Sequence, residues 1–283
     1  MPNHPAVQPG RVAVITGGAG GIGLAAAKRF ASLGMKVVIA DLDQADLDRA
    51  AATVAAGGPG GKADVLTMRC DVSRMEEVRA LKERAYDAFG EVAVLMNNAG
   101  TGPGGGPFDH YDRWQRVIGV NLFGVINGVH AFTEAMIAQG SDAMIVNTGS
   151  KQGITCPPGD TAYNVSKAGV KVVTEGLQHA LRNIPGCKVS AHLLVPGWTF
   201  TGLTARQGGE KPAGAWWPDQ VVEVMLERTG RGDFYIICPD NEVSWEVDRM
   251  RVLWAAGDIA ENRPPLSRWH PDYAEAFAEF LAR

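Results

Sequence analysis

The chain has 283 residues, with 27 Lys and Arg against 31 Asp and Glu, which gives a formal net charge of −4 at pH 7. Hydrophobic residues make up 46% of it and charged residues 20%, the composition of an ordinary soluble globular protein. With no basic run, and no apolar run of the ~20 residues that span a bilayer, this composition argues against nucleic acid or a membrane as a partner.

The four cysteines are scattered and form no CxxC pair, which fits neither a disulfide framework nor a zinc site and favours a reducing compartment, the cytoplasm. No histidine stands at ligand spacing from a carboxylate or a cysteine, so we predict no metal site. Residues 1–10 are polar and proline-rich, which is unlike a signal peptide and predicts a flexible tail. No linker, repeat or low-complexity segment interrupts residues 1–283, so we predict one domain.

Apolar, β-branched runs predict strands, and longer amphipathic or alanine-rich segments predict helices. In chain order, the predicted elements are strand 11–16, helix 24–33, strand 36–40, helix 44–56, strand 65–70, helix 73–89, strand 92–96, helix 114–139, strand 143–148, helix 161–183, strand 188–194, a helix opening at Pro218 and strand 234–238. Ser73 and Glu76 have the spacing of a capping box at the start of the third helix. This alternation predicts an α/β fold, a Rossmann-like doubly wound parallel seven-stranded sheet flanked by helices, with an aromatic-rich C-terminal extension over 241–283.

The glycine-rich segment 17–23 joins the first predicted strand to the first predicted helix. In that setting, backbone N–H groups approach a pyrophosphate at the positive end of the helix, so the segment predicts a dinucleotide site. Asp41 ends the second strand, where a carboxylate binds ribose hydroxyls and repels a 2′-phosphate, which favours NAD over NADP. The alternative is that Asp41 caps the helix that follows.

Polar residues follow several of the predicted strands. Ligands of open parallel sheets bind outside the carboxyl ends of the strands, so we expect these residues to form one site. They are Thr16, Asp41, Asp71, Asn97 and Ser150.

Tyr163 and Lys167 are four residues apart on a predicted helix, and therefore share one face. An ammonium beside a phenol stabilises the phenolate and lowers its pKa, and such a tyrosine exchanges a proton with an alcohol or a ketone. Ser150 follows a predicted strand, from which its hydroxyl would hold the same substrate oxygen. By itself a Tyr–Lys pair at this spacing is more often a solvated or core-flanking pair.

Two further regions bear on substrate and assembly. Residues 203–218 are rich in Gly, Pro and Trp and are predicted to cover the substrate; with Trp198 and Phe200, they favour a bulky apolar or aromatic alcohol, although core packing explains the same aromatic residues. Helices 114–139 and 161–183 are apolar enough to form either a dimer surface or buried core.

In its motifs the chain resembles the short-chain dehydrogenase/reductase family, in its compact single-domain subtype, over about residues 12–202. Residues 16–23 match the TGxxxGxG phosphate loop, and 97–100 match the NNAG motif. Asp71 and Val72 match the pair that contacts adenine, and Pro196, Gly197 and Thr201 match the PGxxxT segment beside the nicotinamide. The catalytic four of the family are matched by Asn121, Ser150, Tyr163 and Lys167.

The resemblance implies that Tyr163 is the acid/base, that Lys167 lowers its pKa and binds the nicotinamide ribose, and that Ser150 orients the substrate. Asn121 would hold a water that links Lys167 to solvent. The residues then expected to contact the cofactor are Gly17, Gly20, Gly21, Ile22, Gly23, Asp41, Asp71, Val72, Asn98, Ala99, Gly100, Tyr163, Lys167, Pro196, Gly197, Thr199 and Thr201.

The function implied is an NAD-dependent interconversion of a small-molecule secondary alcohol and its ketone by a homodimer or homotetramer. An NADPH-dependent carbonyl reductase and a non-catalytic dinucleotide-binding protein are the alternatives.

Overall fold

The computed structural model describes residues 2–205 and 209–282, and seven parallel strands form its centre. The strands are β1 Val12–Thr16, β2 Lys36–Asp41, β3 Val65–Arg69, β4 Val94–Asn97, β5 Ala143–Thr148, β6 Val189–Val195 and β7 Tyr235–Ile237. They lie in the order β3-β2-β1-β4-β5-β6-β7. The order reverses between β1 and β4, which places the ligand crevice of such a sheet at the carboxyl ends of these two strands.

In the described part of the chain, helices connect the strands on both faces of the sheet. They are α1 Gly21–Ser32, α2 Gln44–Gly57, α3 Met75–Phe89, α4 Tyr111–Val117, α5 Gly124–Ala138, α6 Gln152–Thr155, α7 Thr161–Arg182, α8 Pro218–Gly230, α9 Trp245–Ala260 and α10 Ala274–Leu281. The predicted doubly wound parallel sheet is confirmed. None of the described helices combines the length and the apolar character needed to cross a membrane.

The two faces of the sheet carry separate apolar clusters. One includes Phe30 of α1, Leu47 of α2 and Met225 of α8, and the other includes Leu81 of α3 and Phe132 of α5. Because both faces are covered, the central strands are buried continuously, as β1 is over its whole length. Each fully buried large side chain contributes about 1.5–3 kcal/mol, so the sheet is a rigid base for the loops at its carboxyl edge.

The start of α3 differs from the predicted capping box. The helix begins at Met75, and Arg74 precedes it without a side-chain cap. Ser73 turns back instead, and its N–H and hydroxyl donate to Oδ1 of Asp71 at 3.0 and 2.7 Å. The capping box is absent because the Ser73 hydroxyl donates to the nearby Asp71 carboxylate instead of accepting an N–H group of the helix.

The predicted helix 114–139 begins earlier, at Tyr111, and is not uniform. A π-helical segment, Ile118–Phe123, separates α4 from α5. Asn121 lies within this segment and is fully buried. Inserted π turns are common at functional sites, so this irregularity marks the position as special.

The flexible tail predicted over residues 1–10 is corrected for residues 4–10, while Met1 lies outside the described residues. Ala6 and Val7 are buried in the apolar cluster of α1 and α8. The ring of His4 packs edge-on against His192 at 5.7 Å, and the Gly10 N–H donates to the Gly34 carbonyl at 2.7 Å. Two small apolar residues are enough to anchor a segment that is otherwise polar.

The aromatic C-terminal extension folds around Trp254 of α9. Its indole packs against Phe277 and Phe280 of α10 with ring centroids 5.2 Å apart, and Arg263 lies 4.1 Å above the ring. The indole N–H donates to Ser267 Oγ at 2.8 Å. The aromatic residues of this region thus form a small cluster of their own; Arg283 lies outside the described residues.

Candidate active site

A cavity of about 1320 Å³ opens at the carboxyl ends of the strands, at the reversal of strand order. It is lined by most of the residues predicted to form the site: Gly17, Gly20, Gly21, Ile22, Asp41, Asp71, Val72, Asn98, Ala99, Gly100, Ser150, Tyr163, Lys167, Pro196, Gly197, Thr199 and Thr201. Four predicted site residues do not line it: Thr16, Gly23, Asn97 and Asn121. Within the described residues, no group of three His, Cys, Asp or Glu side chains is arranged to hold a metal ion.

The glycine-rich loop forms one wall of the cleft. Gly17 has φ 62°, and a Cβ there would lie 2.7 Å from the Cα of Ala99, so only glycine fits. Gly20 precedes α1 with no side-chain cap, which leaves the first N–H groups of the helix for a ligand. A Cβ on Gly23 would lie 2.1 Å from the Gly17 carbonyl oxygen. Gly23 therefore serves helix–loop packing, and its contact with a cofactor stays a prediction.

Asp41 lies at the end of β2 with both carboxylate oxygens held. Oδ2 accepts the Ala19 N–H at 3.0 Å and Oδ1 accepts the Leu42 N–H at 2.8 Å. The residue that caps α2 is Asp43, which accepts the Asp46 N–H at 2.9 Å. The alternative of a helix cap is thus excluded for Asp41, whose carboxylate is tied to the glycine-rich loop in the cleft wall.

The NNAG segment ties β4 to both neighbouring strands. Thr16 Oγ1 accepts the N–H groups of Asn98 and Ala99 at 3.0 and 3.2 Å. The Asn98 amide donates to the carbonyls of Thr16 and Gly17, each at 3.2 Å, and accepts from Thr148 Oγ1 at 3.3 Å. These bonds hold the floor of the cleft at the reversal of strand order.

The Asp71–Val72 pair stands in the same cleft after β3. The Val72 carbonyl accepts from Asn127 Nδ2 of α5 at 2.8 Å. Our sequence reasoning did not single out Asn127, although a buried amide in an apolar helix was the available signal.

Ser150, Tyr163 and Lys167 also line the cleft. Asp160 caps α7 by accepting the Tyr163 N–H at 3.1 Å. The Ser150 hydroxyl lies beside the Tyr163 phenol, close enough to favour its ionised form by hydrogen bonding. Lys167 Nζ donates to the Thr148 carbonyl at 2.8 Å and lies 5.8 Å from the centroid of the Tyr163 ring. The helix spacing thus brings phenol and ammonium together beside the end of β5.

Burial changes the pKa of both groups. Burial raises the pKa of Tyr163; the bond from Ser150 lowers it, and the negative charge of Asp160 raises it further. Burial also lowers the pKa of Lys167 to about 8. The net direction for Tyr163 is the reverse of the expectation from its lysine neighbour, because a poorly solvated site disfavours the charged form of each group.

Asn121 uses its side chain to fix the loop after the NNAG segment. Its Oδ1 accepts the Thr101 N–H at 2.7 Å, and its Nδ2 donates to the Thr101 carbonyl at 3.0 Å and to Ser166 Oγ at 3.2 Å. The side chain is therefore a clamp on Thr101, and the water-holding role implied by the resemblance stays a prediction.

Asp160 is a further cleft residue that our sequence reasoning missed. It accepts the N–H groups of Gly104 and Gly105 at 3.0 and 2.9 Å, in addition to that of Tyr163. The Asp160 carboxylate thus joins the loop 101–107 to the start of α7. An aspartate just before a predicted helix was the available signal.

The predicted cover is only partly at the cleft. The backbone N–H of Trp216 donates to the Trp198 carbonyl, and its carbonyl accepts the Phe200 N–H, each at 2.8 Å. The Trp216 ring packs on the apolar core. Phe200 and Trp217 stack edge-on at 5.6 Å. Of these four aromatic side chains, Trp198 alone lines the cavity, together with the nearby Leu203. Residues 206–208 of the predicted cover lie outside the described residues.

The residues present fit a dinucleotide. Uncapped N–H groups at the start of α1 suit a pyrophosphate, and the pinned carboxylate of Asp41 suits ribose hydroxyls. The phenol of Tyr163 and the ammonium of Lys167 line the same cavity.

Comparisons with known proteins agree with this geometry. The family model "short chain dehydrogenase" matches residues 11–211. A 1-deoxy-11-beta-hydroxypentalenate dehydrogenase of Streptomyces exfoliatus is 34% identical over 268 residues, which is 92% of this chain and 94% of that protein. The 3beta-hydroxysteroid dehydrogenase 2 of Eggerthella lenta is 33% identical over 212 residues, which is 74% of this chain and 79% of that protein.

A solved structure shows the same fold at similar identity. It is a short chain dehydrogenase/reductase from Burkholderia phymatum in complex with NAD, with a TM-score of 0.81 and 35% identity over 92% of this chain and 97% of that chain. Sequence match, fold and cleft lead to one assignment: the chain belongs to the short-chain dehydrogenase/reductase family and is an oxidoreductase of the kind that acts on hydroxyl groups.

Proposed function

We propose that the protein is an NAD-dependent dehydrogenase that interconverts a secondary alcohol and its ketone. The observation that carries the proposal is the convergence of Ser150, Tyr163 and Lys167 in a cleft that the glycine-rich loop also lines. The cofactor, when bound, supplies hydride transfer; the protein supplies position and proton transfer.

The chain's own residues account for the proton. The hydroxyls of Ser150 and Tyr163 hold the substrate oxygen, and Tyr163 accepts its proton in oxidation and returns it in reduction. Lys167 places a positive charge beside the phenol. Burial raises the pKa of Tyr163, so its base form becomes abundant only at higher pH. We therefore expect the oxidation rate to rise and the reduction rate to fall as the pH is raised.

Asp41 supports NAD as the cofactor, since its carboxylate stands where a 2′-phosphate would meet a negative charge. Asp41→Asn keeps an acceptor for the Ala19 N–H but removes the charge. We expect it to reduce the ratio of kcat/KM for NAD over NADP by about tenfold, or ~1.4 kcal/mol. Steady-state kinetics with both cofactors measure this ratio.

The matched control is Asp43→Asn, the same change at the cap of α2, which should leave the ratio unaltered. A wild-type enzyme that prefers NADPH would contradict the assignment and favour the alternative, an NADPH-dependent carbonyl reductase. Dinucleotide binding without turnover of any alcohol would favour the non-catalytic alternative.

We propose a bulky apolar or aromatic alcohol as the substrate. Trp198 and Leu203 in the cleft wall support it, as do the relatives named for a hydroxysteroid and a hydroxypentalenate. A panel of cyclic, aryl and steroid alcohols with NAD tests this choice. Faster turnover of small polar polyols would exclude it.

Asp160 is predicted to tune the pH dependence. Its negative charge raises the pKa of Tyr163, so removing that charge lowers the pKa and makes the base form available at lower pH. We therefore expect Asp160→Asn, which keeps an oxygen to cap α7, to move the rising part of the pH profile of alcohol oxidation to lower pH. Asp43→Asn is the control for the loss of one carboxylate. If the pH profile of Asp160→Asn is the same as that of this control, the charge of Asp160 does not affect the pKa of Tyr163.

We further propose that the protein is a homodimer or homotetramer. Phe123, Val165 and Val172 expose 51%, 44% and 63% of their surface beside and along α7, an apolar face suited to a second copy of the chain. Sedimentation equilibrium measures the state, and a monomer at micromolar concentration would exclude it. Four unpaired cysteines support the cytoplasm as the compartment.

A further inference from the structure

Lys151 follows Ser150 in the chain and lies in the cleft wall beside two carboxylates of the C-terminal region. Its Nζ is 3.0 Å from Asp240 Oδ2 and 2.5 Å from Asp248 Oδ2. The three side chains expose only 17%, 6% and 7% of their surface. Arg251 Nη1 lies 3.7 Å from Asp248 Oδ1 and completes the cluster of charges.

Such a cluster is not explained by stability. Removing a lysine and two carboxylates from water costs more than a pair of well-packed apolar side chains would, so buried ion pairs are weak evidence for stabilisation. What the cluster does provide is a defined geometry among three segments that are far apart in the chain.

The first two segments are the ends of β5 and β6. The Lys151 N–H donates to the Pro196 carbonyl at 3.4 Å, and Asp240 Oδ2 accepts the Trp198 N–H at 3.2 Å. A Cβ on Gly197 would lie 2.6 Å from Asp240 Oδ2 and 3.0 Å from Lys151 Nζ. The charged groups therefore pack directly against the turn 196–198, which forms the cleft wall beside Ser150.

The third segment is the C-terminal extension. Asp248 lies in the first turn of α9, and α9 packs on α6, the short helix that begins directly after Lys151. Asp240 immediately precedes the extension and is fixed to it, because its Oδ1 accepts the N–H groups of Glu242 and Val243 at 3.1 and 2.9 Å.

We propose that Lys151 is a positioning residue through which Asp240 and Asp248 of the C-terminal region hold Ser150 and the turn 196–198 in their working geometry. The proposal rests on the proposed dehydrogenase function. Displacements of about 1 Å at a reacting group cost up to ~10²-fold in rate, so a loosened Lys151 acts on catalysis without touching the substrate.

The test uses Lys151→Met and Asp248→Asn in the full-length chain, singly and together. We expect each single variant to lower kcat by about 10-fold to 10²-fold, and the double variant to lose no more than the worse single one, because both changes break the same link. Lys151→Arg, which keeps the charge, should recover part of kcat.

The matched control is Asp258→Asn, inside the extension but away from the cleft. Asp258 bonds Arg263 and Ser267 and holds the fold around Trp254. It should lower Tm and leave kcat within about twofold of the wild type. A loss of kcat in Asp258→Asn that follows its loss of Tm, or an unchanged kcat in Lys151→Met, would overturn the positioning role.

A second readout needs no turnover. Hydrogen exchange of the Trp198 N–H reports the turn 196–198 directly, and Lys151→Met should increase it while Asp258→Asn should not. If no alcohol is oxidised but exchange increases as expected, the proposed function fails and the link stands. If alcohols are oxidised and exchange is unchanged, the link fails and the function stands.

Discussion

Replacing Tyr163 by phenylalanine is expected to lower kcat for alcohol oxidation by about 10²–10⁴-fold, the usual contribution of general acid–base catalysis. The substitution removes one hydroxyl, and with it the partner of Ser150 and the acceptor of the substrate proton. The ring and the Asp160 cap remain, so we expect NADH to bind with a Kd within about threefold of the wild type. NADH formation at saturating alcohol is the measurement.

The control for Tyr163→Phe is Tyr86→Phe. Tyr86 also uses its hydroxyl in a hydrogen bond, to Gln139 on the far side of the sheet from the glycine-rich loop, and does not line the cleft. Its loss should change stability by about 1 kcal/mol and leave kcat unaltered. Undiminished turnover by Tyr163→Phe would end the proposed mechanism.

Lys167→Met is expected to lower kcat by about 10²-fold or more and to move the rise of oxidation to higher pH. The methionine fills much of the same buried space but removes the positive charge beside the phenol, so the pKa of Tyr163 moves further up. The Thr148 carbonyl loses its donor, at a cost of about 1–3 kcal/mol, while a buried charge is also removed. Kinetics across pH, with thermal unfolding alongside, separate the two effects.

One helical turn further along α7, Lys171 is the matched control. It forms a half-exposed ion pair with Glu175 at 2.9 Å, and ion pairs near the surface are worth about 0–1 kcal/mol. Lys171→Met should leave both kcat and the pH profile as they are. A pH profile of Lys167→Met identical to that of the wild type would show that the ammonium does not act on the phenol.

The sheet and the glycine-rich loop could be predicted from local patterns. Parallel strands buried on both faces are continuous apolar runs, so β1, β2 and β5 differ from their predicted bounds by no more than one residue. The start of α8 at Pro218 was predictable for a local reason too, since proline lacks only an N–H that the first turn does not use.

The predictions that failed depend on which side chains contact one another rather than on local patterns. Ser73 bonds Asp71 rather than capping α3, and Ala6 and Val7 anchor a segment that is polar in sequence. Trp216 and Trp217 do not line the cleft, although Trp198 does. Each outcome depends on which residues the packing brings together, and the hydrophobic periodicity of the sequence does not contain that information.

The chemistry divides in the same way. Residue order alone was enough to place a phenol and an amine one helical turn apart and to put glycines between a strand and a helix, because backbone geometry sets those relations locally. The direction of the Tyr163 pKa, and the link from Lys151 to Asp240 across 89 residues, came only with the folded chain. Desolvation and long-range contacts depend on how elements pack together, and packing is a property of the whole structure.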